Sequence, residues 1–273
     1  MNRFTRTDLA AVAGTLGMLG LLAFPRLTSS NSVGDEVFCA NNMRRLIGAW
    51  QTFAVDNNER LPATYHGGIA SSPMPISEQF IPWAQGWMTW DVSAHNTNIQ
   101  YLIDPKYSVI APYHGGSKEI FKCPADKYVS NTQVARRWPE RVRSVSANVC
   151  LGDGSNGPTG PWNPSFATVS RLSQFVRPSP ANTYVFIEEH PDSINDPAFW
   201  SPSGGGNSFQ WVDLPANYHN GASALSFADG RVEHHRWTGP LRTLAIRYNF
   251  TLPPPSTPPT DLRYLYERTP LRP

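Results

Sequence analysis

The stretch FTRTDLAAVAGTLGMLGLLAFP, from Phe4 to Pro25, dominates the amino-terminal end of this 273-residue chain. Between Leu9 and Phe24 the only polar side chain is that of Thr15. As an α-helix this apolar part would rise about 24 Å, slightly less than the roughly 30 Å hydrocarbon core of a bilayer, so a span also needs the flanking residues. The stretch therefore predicts a short membrane anchor.

Two other interpretations of the same stretch stay open. A secretory signal peptide would have a basic start, which Arg3 and Arg6 supply, but the following AFPRLTSS is a poor cleavage site. A buried helix of a soluble protein would fit badly with the polar residues that follow. Asp8 favours a third interpretation, which is a membrane helix whose amino end is itself functional. An acidic side chain at the membrane face is costly unless it meets a cation, such as the free amine of a neighbouring subunit.

The spacing of Phe4, Asp8 and Pro25 resembles the amino-terminal segment of type IV prepilins and type II secretion pseudopilins. That family begins its mature chain with Phe and has an acidic residue and a Pro at the same distances. Arg3 stands where the family has Gly. The resemblance implies an inner-membrane subunit that a prepilin peptidase trims and methylates at Phe4, and that docks through Asp8 onto other pilin-like subunits in a filament.

The segment VGDEVFCANNMRRLIGAWQTFAVD, residues 33–56, predicts an amphipathic helix that continues this anchor. Its apolar residues recur at steps of three and four: Val33, Val37, Ala40, Met43, Ile47, Trp50 and Phe53 or Ala54. With the resemblance, this predicts a pilin-like α+β fold. One long helix, membrane half first and domain half second, would pack on an antiparallel sheet with long loops. The expected division is an anchoring segment at 1–30 and one extracytoplasmic domain at 31–273.

The sequence YHNGASALSFADGRVEHHRW, from Tyr218 to Trp237, predicts a β-hairpin. Asp229-Gly230 between alternating runs indicates a two-residue type I′ turn, which needs positive φ at both residues. Such a turn sets Phe227 opposite Val232 on a core face. The opposite face, made of small residues, is expected to be wet or lightly covered.

His219, Asp229 and Gly230 also match the His-x9-Asp-Gly motif of large prepilin-like proteins of the planctomycete and verrucomicrobial type, which the chain resembles at both ends. Two interpretations of the motif stay open. His219 and Asp229 could have a metal or catalytic role, or Asp229 could serve the turn while His219 caps the strand.

Further elements follow from shorter patterns. Strands are predicted at Glu119–Asp126, Arg141–Leu151 and Thr183–Ile187, and short helical turns at Arg171–Val176 and Asp261–Arg268. The last strand runs into an acidic loop. There the oxygens of Glu189, Asp192, Asn195 and Asp196 could surround Ca²⁺, with a solvated loop as the alternative.

Three cysteines, Cys39, Cys123 and Cys150, allow one disulfide and one free thiol in an oxidising compartment. Their pairing stays open, with Cys123 the preferred participant because it lies in a constrained Lys-Cys-Pro turn. The sequence has no Cys-x-x-Cys pair, so a zinc or redox site has little support.

Composition limits the classes of function that the chain can have. With 23 Lys+Arg against 21 Asp+Glu the net charge is +2, and no basic stripe suits nucleic acid. The leading hypothesis is a non-enzymatic pseudopilin-like filament subunit, anchored in the inner membrane, with its carboxyl-terminal domain in the periplasm or outside the cell. The alternative is a monomeric tethered module that binds polysaccharide through exposed aromatic rings such as those of Trp83, Trp87 and Trp90.

Overall fold

The computed structural model describes residues 34–154, 166–201, 210–250 and 260–272. Helix α1 covers 34–56. The shorter helices are α2 (Gly67–Ala70), α3 (Gln100–Ile103), α4 (Asn131–Ala135) and α5 (Thr260–Tyr266). The strands are β1 (Val145–Asn148), β2 (Tyr184–Glu188), β3 (Ala198–Phe199), β4 (Ala222–Phe227) and β5 (Val232–Arg236).

The predicted anchor, with Arg3, Phe4 and Asp8, lies outside the described residues. Across the ranges that are described, no helix has both the length and the apolar character needed to cross a membrane.

The five strands form one sheet in the order β3-β1-β2-β4-β5. The α+β class is therefore confirmed, but the prediction of a purely antiparallel sheet is wrong, because β3 pairs with β1 in parallel. The reason is chain direction. Since β2 runs antiparallel to β1, the reversal of the chain at 189–197 returns β3 along the direction of β1.

One face of the sheet packs against α1. The cluster that they share includes Leu46 and Trp50 from the helix and Phe186, Ala224 and Val232 from the sheet. The Gln51 side-chain amide also donates to the carbonyl of Ala228 at 3.0 Å, at the hairpin turn. The predicted amphipathic helix is thus present, and its buried stripe crosses the sheet.

The predicted stripe is wrong at Val37, which is 55% exposed. Successive residues of a helix are about 100° apart, so Val37 lies on the far side of α1 from Cys39. Cys39, Leu46 and Trp50 align on the buried side. The stripe is therefore rotated from the predicted one in its first turn.

The hairpin is present, but its predicted register is wrong by one residue. Val232 pairs with Ser226 instead of Phe227. Of the two predicted turn residues only Gly230 has positive φ, at 92°, and its N–H donates to the Phe227 carbonyl at 2.9 Å. This longer loop, ending in a left-handed Gly, adds one residue and so moves the side chains of β5 to the other face.

The prediction that the small-residue face of the hairpin is open to solvent is also wrong. Ala224 is fully buried under α1, where its small side chain permits close approach of the helix. The other face of β4 carries Leu225 and Phe227, which pack with Leu262 and Leu265 of α5. Because both faces of the sheet are covered, β4 is buried along its whole length.

The remaining predicted elements have mixed outcomes. The strand at Thr183–Ile187 and the helical turns near Leu172 and Leu262 are confirmed. The alternating strand Arg141–Leu151 shortens to β1, which is buried on both faces. The strand at Glu119–Asp126 is wrong. Its backbone makes local bonds instead, forming a 3₁₀ helix over Lys118–Phe121 and then a turn closed by Asp126 N–H on the Cys123 carbonyl at 3.0 Å.

Candidate functional site

Four potential ligand side chains meet where α1 crosses the sheet. They are Cys39, Cys123, Glu188 and His219, and one ligand atom from each lies within 4.8 Å of all the others. Within the described ranges, no other group of three or more His, Cys, Asp and Glu side chains converges in this way. We call these four residues the interface cluster.

The helix and β2 place two of the four. Cys39 lies on the buried side of α1, above the carboxyl end of β2. Side chains alternate along a strand, so Glu188 shares the α1 side of the sheet with Phe186, while Ile187 faces the opposite core. A glutamate is thereby brought under the helix at the end of the apolar run of β2.

Two turns place the others. The turn at Cys123 is fixed by its own N–H, which donates to Ser144 Oγ at 2.6 Å beside β1. His219 begins a tight reversal in which Asn220 and Gly221 have φ of 53° and 83°. The N–H of Ala222 closes this reversal on the His219 carbonyl at 3.1 Å and starts β4. The imidazole is thus held at the beginning of a central strand.

The cluster is closely packed and closed to solvent. Cys39 Sγ donates to Glu188 Oε1 at 2.5 Å. His219 Nε2 lies 3.3 Å from Glu188 Oε2 and 3.5 Å from Cys123 Sγ. The exposed fractions of Cys39, Cys123, Glu188 and His219 are 2%, 1%, 0% and 6%. A buried carboxylate in such a place requires compensation by donors or by positive charge.

Burial and mutual contact shift the pKa values of these groups in opposite directions. Burial alone would raise the pKa of Glu188, but the hydrogen bond and charge of His219 and the N–H of Ala224 lower it overall. Burial alone would lower the pKa of His219, yet its bonds to Cys123 and Glu188 raise it to about 10. Burial, Cys123 and Glu188 together raise the pKa of the Cys39 thiol far above its usual value.

These properties define what the cluster can do. A buried thiol with a raised pKa is a poor nucleophile, so covalent catalysis at Cys39 is disfavoured. Two sulfurs, one imidazole nitrogen and one carboxylate oxygen are instead a donor set of tetrahedral metal sites. The sequence had given a zinc site little support, because these ligands come from four distant segments and not from a local cysteine pair.

The structure separates the residues of the His-x9-Asp-Gly pattern. His219 lies before β4 and belongs to the interface cluster, whereas Asp229 and Gly230 lie after β4 in the hairpin turn. Asp229 Oδ1 accepts the N–H of Arg231 at 3.0 Å. A shared metal or catalytic role for His219 and Asp229 is therefore not supported. The spacing of the pattern is the length of β4 and its two flanking turns.

The three cysteines are all buried free thiols. Cys150 packs with Phe166 and Trp200 in a separate cluster. Cys39 and Cys123 are the pair that the fold brings together.

The acidic loop is buried and not solvated, and its groups bind the protein itself. Asp192 accepts the backbone N–H groups of Arg247 and Asn249 at 2.6 and 2.9 Å. Asp196 accepts those of Gly67 and Ala198 at 2.7 and 2.9 Å. The predicted Ca²⁺ site is therefore not supported at these two residues.

The other two residues of that predicted site also have protein partners. Glu189 Oε1 accepts the hydroxyl of Ser193 at 2.7 Å. Asn195 Oδ1 accepts the N–H of Asp196 at 2.5 Å. Burial is the main reason that the pKa of Glu189 rises to about 8.

Glu188 is the ligand-type residue that sequence reasoning missed. Its signal was a charged residue at the end of a dense β-branched and aromatic run, a position where burial demands a partner.

No protein-family model matches the chain, and neither the curated proteins nor the solved structures include a match.

Proposed function

We propose that this protein is a membrane-anchored, non-enzymatic subunit of a pilus-like or type II secretion-like filament, with a pilin-like architecture. The observation that carries the proposal is the position of α1. The helix follows the apolar amino-terminal segment in the chain and buries one stripe across the sheet. A single element can then connect anchor, domain core and neighbouring subunits.

The outer side of α1 supports contacts between subunits. Val37 and Phe38 are 55% and 62% exposed and follow the predicted anchoring segment 1–30 by only a few residues in the chain. Phe38 also lines an open groove of about 600 Å³ with Asn42, Arg45 and Val142. Large exposed apolar side chains beside a groove are typical of protein interaction sites. A helix of a second pilin-like subunit is the occupant that the proposal requires.

Assembly tests the proposal in the native host. Asp8→Ala should strongly reduce incorporation into filaments, because Asp8 would lose the amine of the neighbouring subunit. Phe38→Glu should reduce it by placing a charge in the contact. Val176→Glu is the matched control, since Val176 is 75% exposed and lies outside α1. Incorporation is measured in sheared filament fractions.

The amino terminus provides a second readout. The mature chain recovered from host membranes is expected to begin at methylated Phe4, as intact mass and terminal sequencing would show. Assembly of Asp8→Ala at the wild-type level would refute the docking role. A chain that begins at Met1 would refute processing by a prepilin peptidase and favour a permanently anchored module.

The polysaccharide-binding alternative has less support. Trp83 is 1% exposed, and its indole N–H donates to the Pro197 carbonyl at 3.2 Å. Trp90 is partly buried, and the Arg141 guanidinium lies 3.8 Å from its ring centroid. These two rings fill the core or are already stacked on a protein group. Substituting either of them is therefore expected to change the stability of the domain, whether or not it binds glycan.

A further inference from the structure

We infer that the interface cluster binds one Zn²⁺ through Cys39 Sγ, Cys123 Sγ, His219 Nε2 and a carboxylate oxygen of Glu188, and that this ion fastens α1 to the sheet. The inference does not depend on the proposed filament role. It concerns the purified chain alone, whereas filament assembly concerns contacts between chains.

The distances suit a tetrahedral ion. In a tetrahedral site, ordinary zinc bond lengths place the ligand atoms about 3.5 Å apart for sulfur and nitrogen, 3.4 Å for nitrogen and oxygen, and 3.6 Å for sulfur and oxygen. His219 Nε2 lies 3.5 Å from Cys123 Sγ and 3.3 to 3.4 Å from the Glu188 oxygens. The sulfur–nitrogen and nitrogen–oxygen distances therefore already match those of a tetrahedral zinc site. The 2.5 Å distance from Cys39 Sγ to Glu188 Oε1 must open by about 1 Å when the ion binds.

The surroundings of the ligands also suit a bound metal. Glu188 Oε2 accepts the N–H of Ala224 at 2.7 Å, which orients the carboxylate. The backbone of Cys123 is held by Ser144 Oγ. Such outer hydrogen bonds fix the geometry of metal ligands. Because all four ligands come from the protein and the cluster is closed to solvent, the site is structural and not catalytic.

The donor set selects the ion. Thiolate sulfur and imidazole nitrogen suit Zn²⁺ and disfavour Ca²⁺ or Mg²⁺, which take oxygen ligands. A disulfide between Cys39 and Cys123 is the competing chemistry for the two sulfurs. It would use neither Glu188 nor His219, whereas the metal uses all four buried groups.

The ion would join segments that are far apart in the chain. Cys39 and Glu188 are 149 residues apart, and Cys123 and His219 are 96 apart. A cross-link that closes long loops removes much conformational freedom from the unfolded chain. Because Cys39 lies near the beginning of α1, the ion would fix this end of the helix to the sheet.

Metal content tests the inference on the full-length protein, purified in detergent without chelators. About one zinc per chain is expected by elemental mass spectrometry, with at least a tenfold loss in Cys123→Ser and His219→Ala. Cys150→Ser is the matched control and should keep its zinc, because Cys150 lies in a separate cluster. His219→Cys, which supplies another zinc ligand, should also retain the metal and so separates loss of binding from loss of folding.

Thiol counting gives a second measurement. At a denaturant concentration that exposes Cys150 to alkylation, Cys39 and Cys123 should stay protected until a chelator is added, after which all three thiols should react. Replacement by Co²⁺ should give a thiolate-to-metal absorption band that Cys123→Ser lacks. A Cys39–Cys123 disulfide in the intact mass, a metal-free wild type, or equal zinc in Cys123→Ser and wild type would each overturn the inference. A different metal at the same stoichiometry would overturn the zinc assignment.

Discussion

Gly221→Ala tests the turn that holds His219 at the start of β4. Gly221 has a φ of 83°, and an added Cβ would lie 2.2 Å from Arg242 Cγ and 3.0 Å from the Arg242 carbonyl oxygen. The left-handed backbone costs Ala about 1–2 kcal/mol. Forcing Arg242 out of its rotamer adds about 0.5–1.5 kcal/mol. The expected loss in the free energy of unfolding is therefore about 1.5–3.5 kcal/mol.

The assay is thermal unfolding of the full-length protein in detergent, followed by tryptophan fluorescence. At roughly 2–4 °C per kcal/mol for a chain of this size, Gly221→Ala should lower the Tm by about 3–14 °C. Gly48→Ala in α1 is the control, since its Cβ would meet nothing within 4 Å and φ is not positive. It should stabilise by about 0.5–1 kcal/mol. Shifts of the same sign in both variants, or an unchanged Gly221→Ala, would refute the reasoning.

Three further substitutions test the core, a buried histidine and the carboxyl-terminal docking. Leu46→Ala should lower the free energy of unfolding by about 2–5 kcal/mol in denaturant titrations, because Leu46 is fully buried between α1 and the sheet. The control Val55→Ala, at an exposed position of α1, should change it by less than about 0.5 kcal/mol. Equal effects would contradict the buried stripe. Burial lowers the pKa of His114, so stability should fall as the pH drops below about 6.5, and this fall should be smaller in His114→Phe; identical pH profiles from pH 7 to 5 would exclude this role. Asp261→Asn should cost about 1–3 kcal/mol in the same titrations, because the Asp261 carboxylate accepts the N–H and hydroxyl of Thr238; a neutral result would show that this contact does not fasten α5.

The elements that the sequence predicted best are those set by local pattern. The 3.6-residue period of α1, the dense apolar run of β2 and the short helix around Leu262 each bury a face that is readable from the residues alone. The existence of the hairpin also followed from Asp229-Gly230. Its register did not, because a loop one residue longer leaves the same sequence signal and turns β5 over.

The acidic loop shows the limit of composition as a guide. Four oxygen-bearing side chains in eight positions predicted a cation site, and the fold directs the backbone N–H groups of Arg247, Asn249 and Gly67 to Asp192 and Asp196. Those donors come from segments far away in the chain. A sequence shows which groups need partners, but the fold decides whether the partner is an ion or a peptide N–H.

By itself, the sequence determined an apolar amino-terminal segment, an amphipathic helix after it and a set of buried strands, because burial of apolar side chains follows periodicities that need no knowledge of distant residues. Only the tertiary structure decided that Cys39, Cys123, Glu188 and His219 meet. Each lies on a different element, and their convergence depends on how α1 crosses the sheet and how two turns are closed. Ligand geometry of this kind is set by packing between distant segments, such as those of Cys39 and Glu188, which are 149 residues apart, and no local pattern encodes it.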